Sequence, residues 1–212
     1  MNFDPIARWY RWLEYSGFGG ELQRRRCAFL KDVADARRAL VLGGGDGRFL
    51  VKLVKQTRGA SIDYVDLSLE MLELARGRAG DDVTYLHGDA LKIGLPEAEY
   101  DLIVTNFFLD CFDETDLAKL IDRVTRSARS DSRWLVSEFR EPGAWARLVV
   151  RALYWFFRVT TGLKTTRLVD HRPLLAQHGF RLAKEERARF GLLASELWTR
   201  QTTSDDSWSG TP

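Results

Sequence analysis

The chain has 212 residues, of which 45% are hydrophobic and 29% charged, and its formal net charge is +2 at pH 7. This composition is typical of a single globular domain and excludes a disordered chain, and the nearly neutral charge gives no reason to expect nucleic acid or an anionic membrane as a partner. Cys27, Cys111 and the three histidines have no ligand-like spacing, which indicates neither a disulfide framework nor a zinc site and predicts a protein of the reducing cytoplasm.

The first predicted elements are two helices. The stretch "FDPIARWYRWLEYSG" has Asp4 as N-cap, Pro5 at the first helical position and Gly17 beyond its end. A second helix is predicted from about Glu21 to Ala36. We find no targeting segment and no stretch with the roughly 20 apolar residues that a membrane span needs, so no integral membrane contact is expected.

Strands and helices then alternate. The apolar runs predict strands over 39–43, 61–67, 83–88, 100–108 and 133–139, and helices over 48–57, 68–78 and 114–127. Continuous apolar strands such as "LIVTNFFL" are typical of a parallel sheet with helices on both faces. The sequence therefore predicts an α/β fold.

The pattern changes after Pro142. A long aromatic helix is predicted from about Ala144 to Val159, a short helix over 173–178, and two antiparallel strands around Gly191. The polar segment 201–212 is predicted to be a disordered tail. We expect residues 1–200 to form one domain, with 1–37 as a helical cap and 142–178 as a lid-like insertion.

The stretch "ALVLGGGDGRFL" predicts a strand that enters a glycine-rich turn and opens a helix. Such a turn brings backbone N–H groups and the positive end of a helix dipole to the edge of the sheet, where nucleotide-like ligands bind. Its glycines are Gly43, Gly45 and Gly47, whereas the dinucleotide fingerprint needs a glycine where this chain has Arg48. A nicotinamide cofactor is therefore disfavoured, and no Gly-Lys-Ser/Thr follows to make a phosphate-binding P-loop.

Two carboxylates follow the next strands of this predicted sheet. Asp66 ends the second strand and could accept hydrogen bonds from both ribose hydroxyls, although it could instead cap the next helix, a role that Ser68 could also fill. Asp89 ends the third strand in "HGDALKI" and could accept from an adenine amino group, or form only a turn.

In this order and at these separations, "VLGGGDG", "VDLSLEML", "GDALKI" and "YDLIVTNFFLDCF" resemble the successive motifs of class I S-adenosylmethionine-dependent methyltransferases. The resemblance implies a Rossmann-like seven-stranded sheet in the order 3-2-1-4-5-7-6, with the last strand antiparallel, and S-adenosylmethionine as cofactor. The cofactor-binding residues that it implies are Gly43, Gly45, Gly47, Asp66, Leu67, Met71, Asp89, Ala90 and Asn106.

The chain departs from this family pattern at Val41. The family usually has an acid at this position, two residues before the first glycine. There it helps to hold the amino group of S-adenosylmethionine, the methyl donor. In this chain, backbone carbonyls or Asp46 would have to take over that function.

The sequence gives fewer signals for the residues that would contact the methyl acceptor, which we call the acceptor side. Asp110 follows the fourth strand and is the first candidate for a catalytic base. Cys111 beside it is expected to be a packed residue rather than a nucleophile. The opening "FD…A..Y" resembles that of quinone and small-molecule methyltransferases, where a tyrosine lies over the donor, and Tyr10 is its match. A cation–π contact with the sulfonium would give about 0.5–2 kcal/mol.

The aromatic helix after Pro142 indicates either a lid over a lipophilic acceptor or a packing helix with a solvated basic face. We expect no nucleic-acid partner, since Asn106 is followed by two phenylalanines and not by the prolines of amino-methylating enzymes. The favoured hypothesis is metal-free methyl transfer to a small, lipophilic or aromatic acceptor. A methyltransferase fold that binds a nucleoside or a protein without turnover is the alternative, and the oligomeric state is left open.

Overall fold

A computed structural model describes residues 20–161 and 168–200, with the side chains of 153–161 left out. The helix predicted in "FDPIARWYRWLEYSG", together with Tyr10, and the tail predicted after residue 200 lie outside the described residues.

A seven-stranded sheet forms the centre of the described chain. Its strands are β1 Arg38–Leu42, β2 Ser61–Asp66, β3 Val83–His87, β4 Tyr100–Asn106, β5 Ala128–Phe139, β6 Phe180–Ala188 and β7 Leu193–Arg200. Their order is β3-β2-β1-β4-β5-β7-β6. The first five strands pair in parallel, and β7 pairs antiparallel with both β5 and β6. This order and the reversed last strand confirm the predicted fold.

Helices flank the sheet on both faces. They are α1 Glu21–Arg26, α2 Arg48–Gln56, α3 Leu69–Ala79, α4 Glu114–Ser127, α5 Ala144–Thr161 and α6 Arg172–Gln177. No helix among the described residues has the length and apolar character needed to cross a membrane.

The predicted length of the helix from Glu21 to Ala36 is wrong. The α-helix ends at Arg26, and a short 3₁₀ helix follows over Leu30–Val33. The break turns Phe29, Leu30 and Val33 onto the core, where all three are buried. Burial of these apolar side chains against the sheet outweighs the helical propensity of the segment.

The alternation of strand side chains divides the core into two layers. Ala39 and Val41 of β1 pack on one face with residues of α2 and α3, whereas Leu40 and Leu42 pack on the other face with residues of α4. Because both faces are covered, the central strands β1 and β4 are buried at nearly every position. Polar side chains can therefore reach a ligand mainly beyond the strand ends.

A buried carboxylate ties the second half of the fold together. Glu196 of β7 is 1% exposed and binds the guanidinium of Arg172 at 2.6 Å, His171 Nε2 at 2.9 Å and Trp198 Nε1 at 2.8 Å. The guanidinium of Arg140 also donates to it. Burial alone would raise the pKa of Glu196, but His171 and the arginines lower it below its ordinary value.

Candidate functional site

Loops at the carboxyl ends of the parallel strands form one continuous edge. Gly43 N–H donates to the carbonyl of Val65 at 3.0 Å, and Gly88 N–H donates to that of Asp66 at 3.1 Å. On the other side, Phe107 N–H donates to the carbonyl of Ser137 at 2.6 Å. The loops after β1 to β5 are therefore held next to one another, which is the usual place for a ligand in a sheet of this kind.

Three alternate glycines after β1 adopt backbone conformations that disfavour other residues. The φ angles of Gly43, Gly45 and Gly47 are +60°, +70° and +85°. This region is accessible to glycine at little cost and strained for residues with a Cβ. The G-x-G-x-G spacing is thus required by the backbone path from β1 into α2, as well as by any close neighbour.

The closest neighbours of this turn are side chains and backbone of the protein itself. A Cβ at Gly43 would lie 2.1 Å from the Phe108 ring, and one at Gly44 would lie 2.6 Å from the Tyr64 ring. A Cβ at Gly47 would lie 2.5 Å from the Cα of Ala75 in α3. Gly47, and not position 48, therefore supplies the close contact between helices.

Asp46 is held by two arginines. Its carboxylate binds Arg48 Nε at 2.9 Å and Arg78 Nη1 at 3.1 Å, and the residue is 5% exposed. Arg48 thus faces Asp46 at the start of α2, where the dinucleotide fingerprint would have its last glycine. A carboxylate with two guanidinium partners is a weak candidate for the donor's amino group, the function that Val41 cannot supply.

Asp66 lies at the end of β2 and does not cap the next helix. Ser68 is the N-cap of α3, and its hydroxyl accepts from Met71 N–H at 3.2 Å. Asp66 Oδ1 accepts from Ser68 N–H at 2.9 Å. Next to it, the side chain of Leu67 is 46% exposed. The structure thus assigns the capping role to Ser68 and leaves Asp66 half-buried at the sheet edge.

Asp89 begins a tight turn after β3. Its Oδ1 accepts from Leu91 N–H at 2.9 Å, and its Oδ2 lies 3.6 Å from Lys92 Nζ. Its neighbour Ala90 is buried, as is the side chain of Met71 in α3. Asp89 therefore has a local turn role, in which an exposed lysine is the one partner of the Oδ2 atom within the described part of the chain.

Asn106 is the most unusual polar residue of this edge. It ends β4 and is 4% exposed, yet neither its Oδ1 nor its Nδ2 makes a hydrogen bond with a described residue. An amide buried in this way carries an energetic cost that a ligand with its own donor and acceptor groups would remove.

Glu138 is a residue of this site that the sequence analysis missed. It lies on β5, is 3% exposed, and its Oε1 accepts from Phe108 N–H at 3.0 Å and Leu109 N–H at 2.8 Å. Its Oε2 has no hydrogen-bond partner in the described part of the chain. The one sequence signal for Glu138 is an acid that follows the apolar run "WLV" near the end of a buried strand.

The turn that Glu138 holds is strained. Phe107 has a φ of +53°, a conformation that is rare for a bulky residue. Its ring packs on that of Phe139 at 5.1 Å, and the buried guanidinium of Arg26 lies 5.2 Å from its centre. Strain of this kind persists where the surroundings fix the backbone, and it is frequent at functional sites.

Asp110 lies in the 3₁₀ turn that follows. Burial raises the pKa of its carboxyl to about 6, and Cys111 Sγ lies 3.6 Å from its Oδ1. Burial, and secondarily the charge of Asp110, also raises the pKa of Glu138 and that of the Cys111 thiol. The neutral thiol packs against the same apolar cluster as Phe107 and Phe139, in agreement with a packing role. Asp110 and Glu138 form a pair of neighbouring acids, which we call the acid pair.

Comparisons with known proteins agree with this arrangement. The sequence of residues 39–131 matches the family described as "Methyltransferase domain". The chain is 30% identical over 158 residues to a demethylmenaquinone methyltransferase of Thermus thermophilus, a match that covers 72% of this chain and 71% of that protein.

Solved structures share the fold. A 1,6-didemethyltoxoflavin-N1-methyltransferase of Burkholderia thailandensis, with S-adenosylhomocysteine bound, has a TM-score of 0.68 at 16% identity and covers 94% of this chain and 86% of its own. The N-methyltransferase NodS of Bradyrhizobium japonicum, also with S-adenosylhomocysteine, has a TM-score of 0.65 at 14% identity, covering 85% and 88%.

The sheet order, the glycine turn and the Thermus relative lead to the same assignment. The chain belongs to the class I S-adenosylmethionine-dependent methyltransferases, and S-adenosylmethionine is its cofactor.

Proposed function

We propose that this enzyme methylates a small lipophilic or aromatic acceptor that carries a hydroxyl group near the methyl-accepting atom. The observation that carries this proposal is the acid pair, in which the buried Oε2 of Glu138 has no hydrogen-bond partner in the described chain. The name of the Thermus relative, a demethylmenaquinone methyltransferase, supports an acceptor of this class.

The donor would lie along the edge from β3 to β4. We assign the backbone of Gly43, Gly45 and Gly47 to the methionine part, Asp66 to the ribose, Leu67 and Met71 to the faces of the adenine, and Asp89 and Ala90 to its edge. S-adenosylmethionine supplies a methyl group on a sulfonium sulfur, which the acceptor takes in an in-line displacement. Because the Phe108 ring lies against Gly43, that ring has to turn aside if the donor is to contact this glycine.

Asn106 is suited to replace the acid that is missing at position 41. Val41 pairs with Val104 in the adjacent strand, and Asn106 lies two residues beyond Val104 on the same face of the sheet. The Oδ1 atom of its amide can accept a hydrogen bond from the ammonium group of S-adenosylmethionine, and the Nδ2 group can donate hydrogen bonds to its carboxylate. These are the two groups that an amino acid presents, and both amide atoms lack other partners among the described residues. The residues therefore fit the donor at its methionine end.

The strand order separates Glu138 from Asp66 by three strand spacings, and on this ground we assign the acid pair to the acceptor side. Neighbouring strands lie about 4.8 Å apart, so β5 is roughly 14 Å from β2 across the order β2-β1-β4-β5. The methionine arm of a donor whose ribose is held at Asp66 is too short to span three strands. Glu138 on β5 is then available to the acceptor, and we assign its neighbour Asp110, which follows β4, to the same side.

The protein accelerates the reaction mainly by orienting the methyl donor and the acceptor. Correct alignment of two reactants can lower a barrier by about 7–11 kcal/mol. We assign Glu138 to hold the acceptor hydroxyl, and Asp110 to take its proton, which adds about 10²–10⁴-fold in rate. A carboxyl group with a pKa of about 6 can accept a proton near neutral pH. Tyr10, outside the described residues, is proposed to lie over the sulfonium.

Calorimetric titration with S-adenosylhomocysteine tests the donor side. Asp66→Ala is expected to weaken binding at least about tenfold, since it removes the side-chain oxygens that accept hydrogen bonds from the ribose hydroxyls. Asp110→Asn is the matched control and should bind with unchanged affinity. An equal loss in both variants would remove Asp110 from the acceptor side, and stabilisation of the protein by NAD alone would refute the donor assignment.

The acceptor side is tested with a 2-alkyl-1,4-naphthohydroquinone and its dimethyl ether. Transfer of labelled methyl is expected for the hydroquinone and not for the ether, and Asp110→Asn should lower kcat by about 10²–10⁴-fold. Equal rates for the two compounds would contradict the role of the hydroxyl.

A further inference from the structure

A second feature lies at the carboxyl edge beyond β5, where the β6–β7 turn meets the start of α5, since Leu193 at the start of β7 pairs with Phe139 at the end of β5. This turn covers Arg189–Gly191, and a Cβ at Gly191 would lie 3.3 Å from Cγ of Pro142. Ala146 and Val150 of α5 pack in one cluster with the leucines that follow the turn. The turn and the first half of α5 therefore form one packed unit.

This unit exposes three large apolar side chains. Phe190 is 97% exposed, Leu148 is 68% exposed and Trp145 is 57% exposed. A single exposed apolar residue is ordinary on a protein surface, whereas several on one packed unit indicate an interaction surface. We call Trp145, Leu148 and Phe190, together with Arg147 and Arg151, the exposed corner.

The backbone holds Phe190 outward at a cost. Arg189 and Phe190 have φ angles of +52° and +56°, a region that residues with a Cβ rarely adopt. Glycine adopts these φ angles at little energetic cost, so a turn that served only to join two strands could have glycine at both positions. The strained turn instead presents a phenylalanine whose side chain has almost no contact with the rest of the protein.

The charge next to these side chains is positive. Arg147 and Arg151 lie one turn apart on the exposed side of α5, and neither forms an ion pair with a described residue. Glu141 is the one acid between residues 141 and 152. Trp145 and Leu148 lie on the same solvent-facing side of the helix, since the buried positions are Ala146 and Val150. Arginines beside exposed aromatic and aliphatic residues are the pattern of helices that lie in the headgroup region of a membrane.

We propose that the exposed corner docks the enzyme on the surface of a membrane that contains anionic lipids. Phe190, Leu148 and Trp145 enter the boundary between headgroups and acyl chains, and Arg147 and Arg151 bind lipid phosphates. Helix α5 lies on this surface and does not span it, in agreement with its arginines. This inference goes beyond the proposed reaction and does not depend on it.

Co-sedimentation with vesicles tests the proposal, using phosphatidylcholine alone or mixed with phosphatidylglycerol. The full-length protein is expected to bind the mixed vesicles, and more weakly as the salt concentration rises. Phe190→Ser should weaken binding at least about tenfold, since burial of a phenyl ring is lost. Arg147→Gln and Arg151→Gln should each weaken it about fivefold and reduce the salt dependence.

Leu182→Ser is the matched control, because Leu182 is 39% exposed on β6 and lies outside the exposed corner. This variant should bind vesicles like the unaltered protein, and circular dichroism should show that all variants are folded. Absence of binding to the mixed vesicles, or equal loss in Leu182→Ser and Phe190→Ser, would overturn the proposal. A dimer that Phe190→Ser dissociates would assign the corner to a second copy of the chain and would also overturn it. Because no donor or acceptor is present, these outcomes are independent of the proposed reaction.

Discussion

Comparison of Gly47→Ala with Gly59→Ala gives the free energy needed to separate α2 from α3 at their contact. Both glycines have a φ of +85°, so alanine at either site is strained by about 1–2 kcal/mol. They differ in their surroundings. A Cβ at Gly47 would lie 2.5 Å from the Cα of Ala75, whereas one at Gly59 would meet no atom within 4 Å.

The atom that blocks position 47 belongs to the backbone of α3 and cannot rotate away. The two helices therefore have to separate, and overpacking of this kind costs about 1–3 kcal/mol. The total expected for Gly47→Ala is thus about 2–5 kcal/mol, against about 1–2 kcal/mol for Gly59→Ala. The effect of alanine on the unfolded chain is common to both variants and cancels in the difference.

Urea unfolding followed by circular dichroism gives the two free energies of unfolding, and equal m-values show that they can be compared. Thermal unfolding should show the same order, with about 2–4 °C for each kcal/mol in a domain of this size. Equal destabilisation of the two variants would refute the reasoning, because it would mean that α2 and α3 separate at no cost.

Two further predictions concern buried carboxylates. Glu196→Gln should destabilise the protein by about 3–5 kcal/mol in urea unfolding, because the buried His171 and two partly buried arginines lose their counter-charge; a loss below about 1 kcal/mol would contradict this. The pKa of Asp110 is about 6 in the folded protein and 3.8 in its ordinary state, so the folded state binds the proton more tightly. The stability of the unaltered protein relative to Asp110→Asn should therefore fall as pH rises from about 4 to above 6, and a difference that does not vary with pH would show that Asp110 is not desolvated.

The fold could be predicted from the sequence because its signals are local. Apolar runs of strand length, the glycine turn and the polar residues that follow each strand all appear in short stretches. Their order along the chain then determines a parallel sheet, since parallel strands need crossover helices of the kind that lie between them. The edge at which Asp66, Asp89, Asn106 and Asp110 meet follows from this rule alone.

Four features were decided only by the tertiary structure. The segment after Arg26 leaves the helix because its apolar side chains are buried against the sheet. Gly43 contacts the ring of Phe108, and Asp46 binds Arg78 of α3, although the sequence around the glycine turn identifies neither partner. Glu138 lies beside Asp110, 28 residues away along the chain, because β5 pairs with β4. A sequence pattern records the neighbours of a residue along the chain, whereas the partners of a buried charge are set by packing in three dimensions.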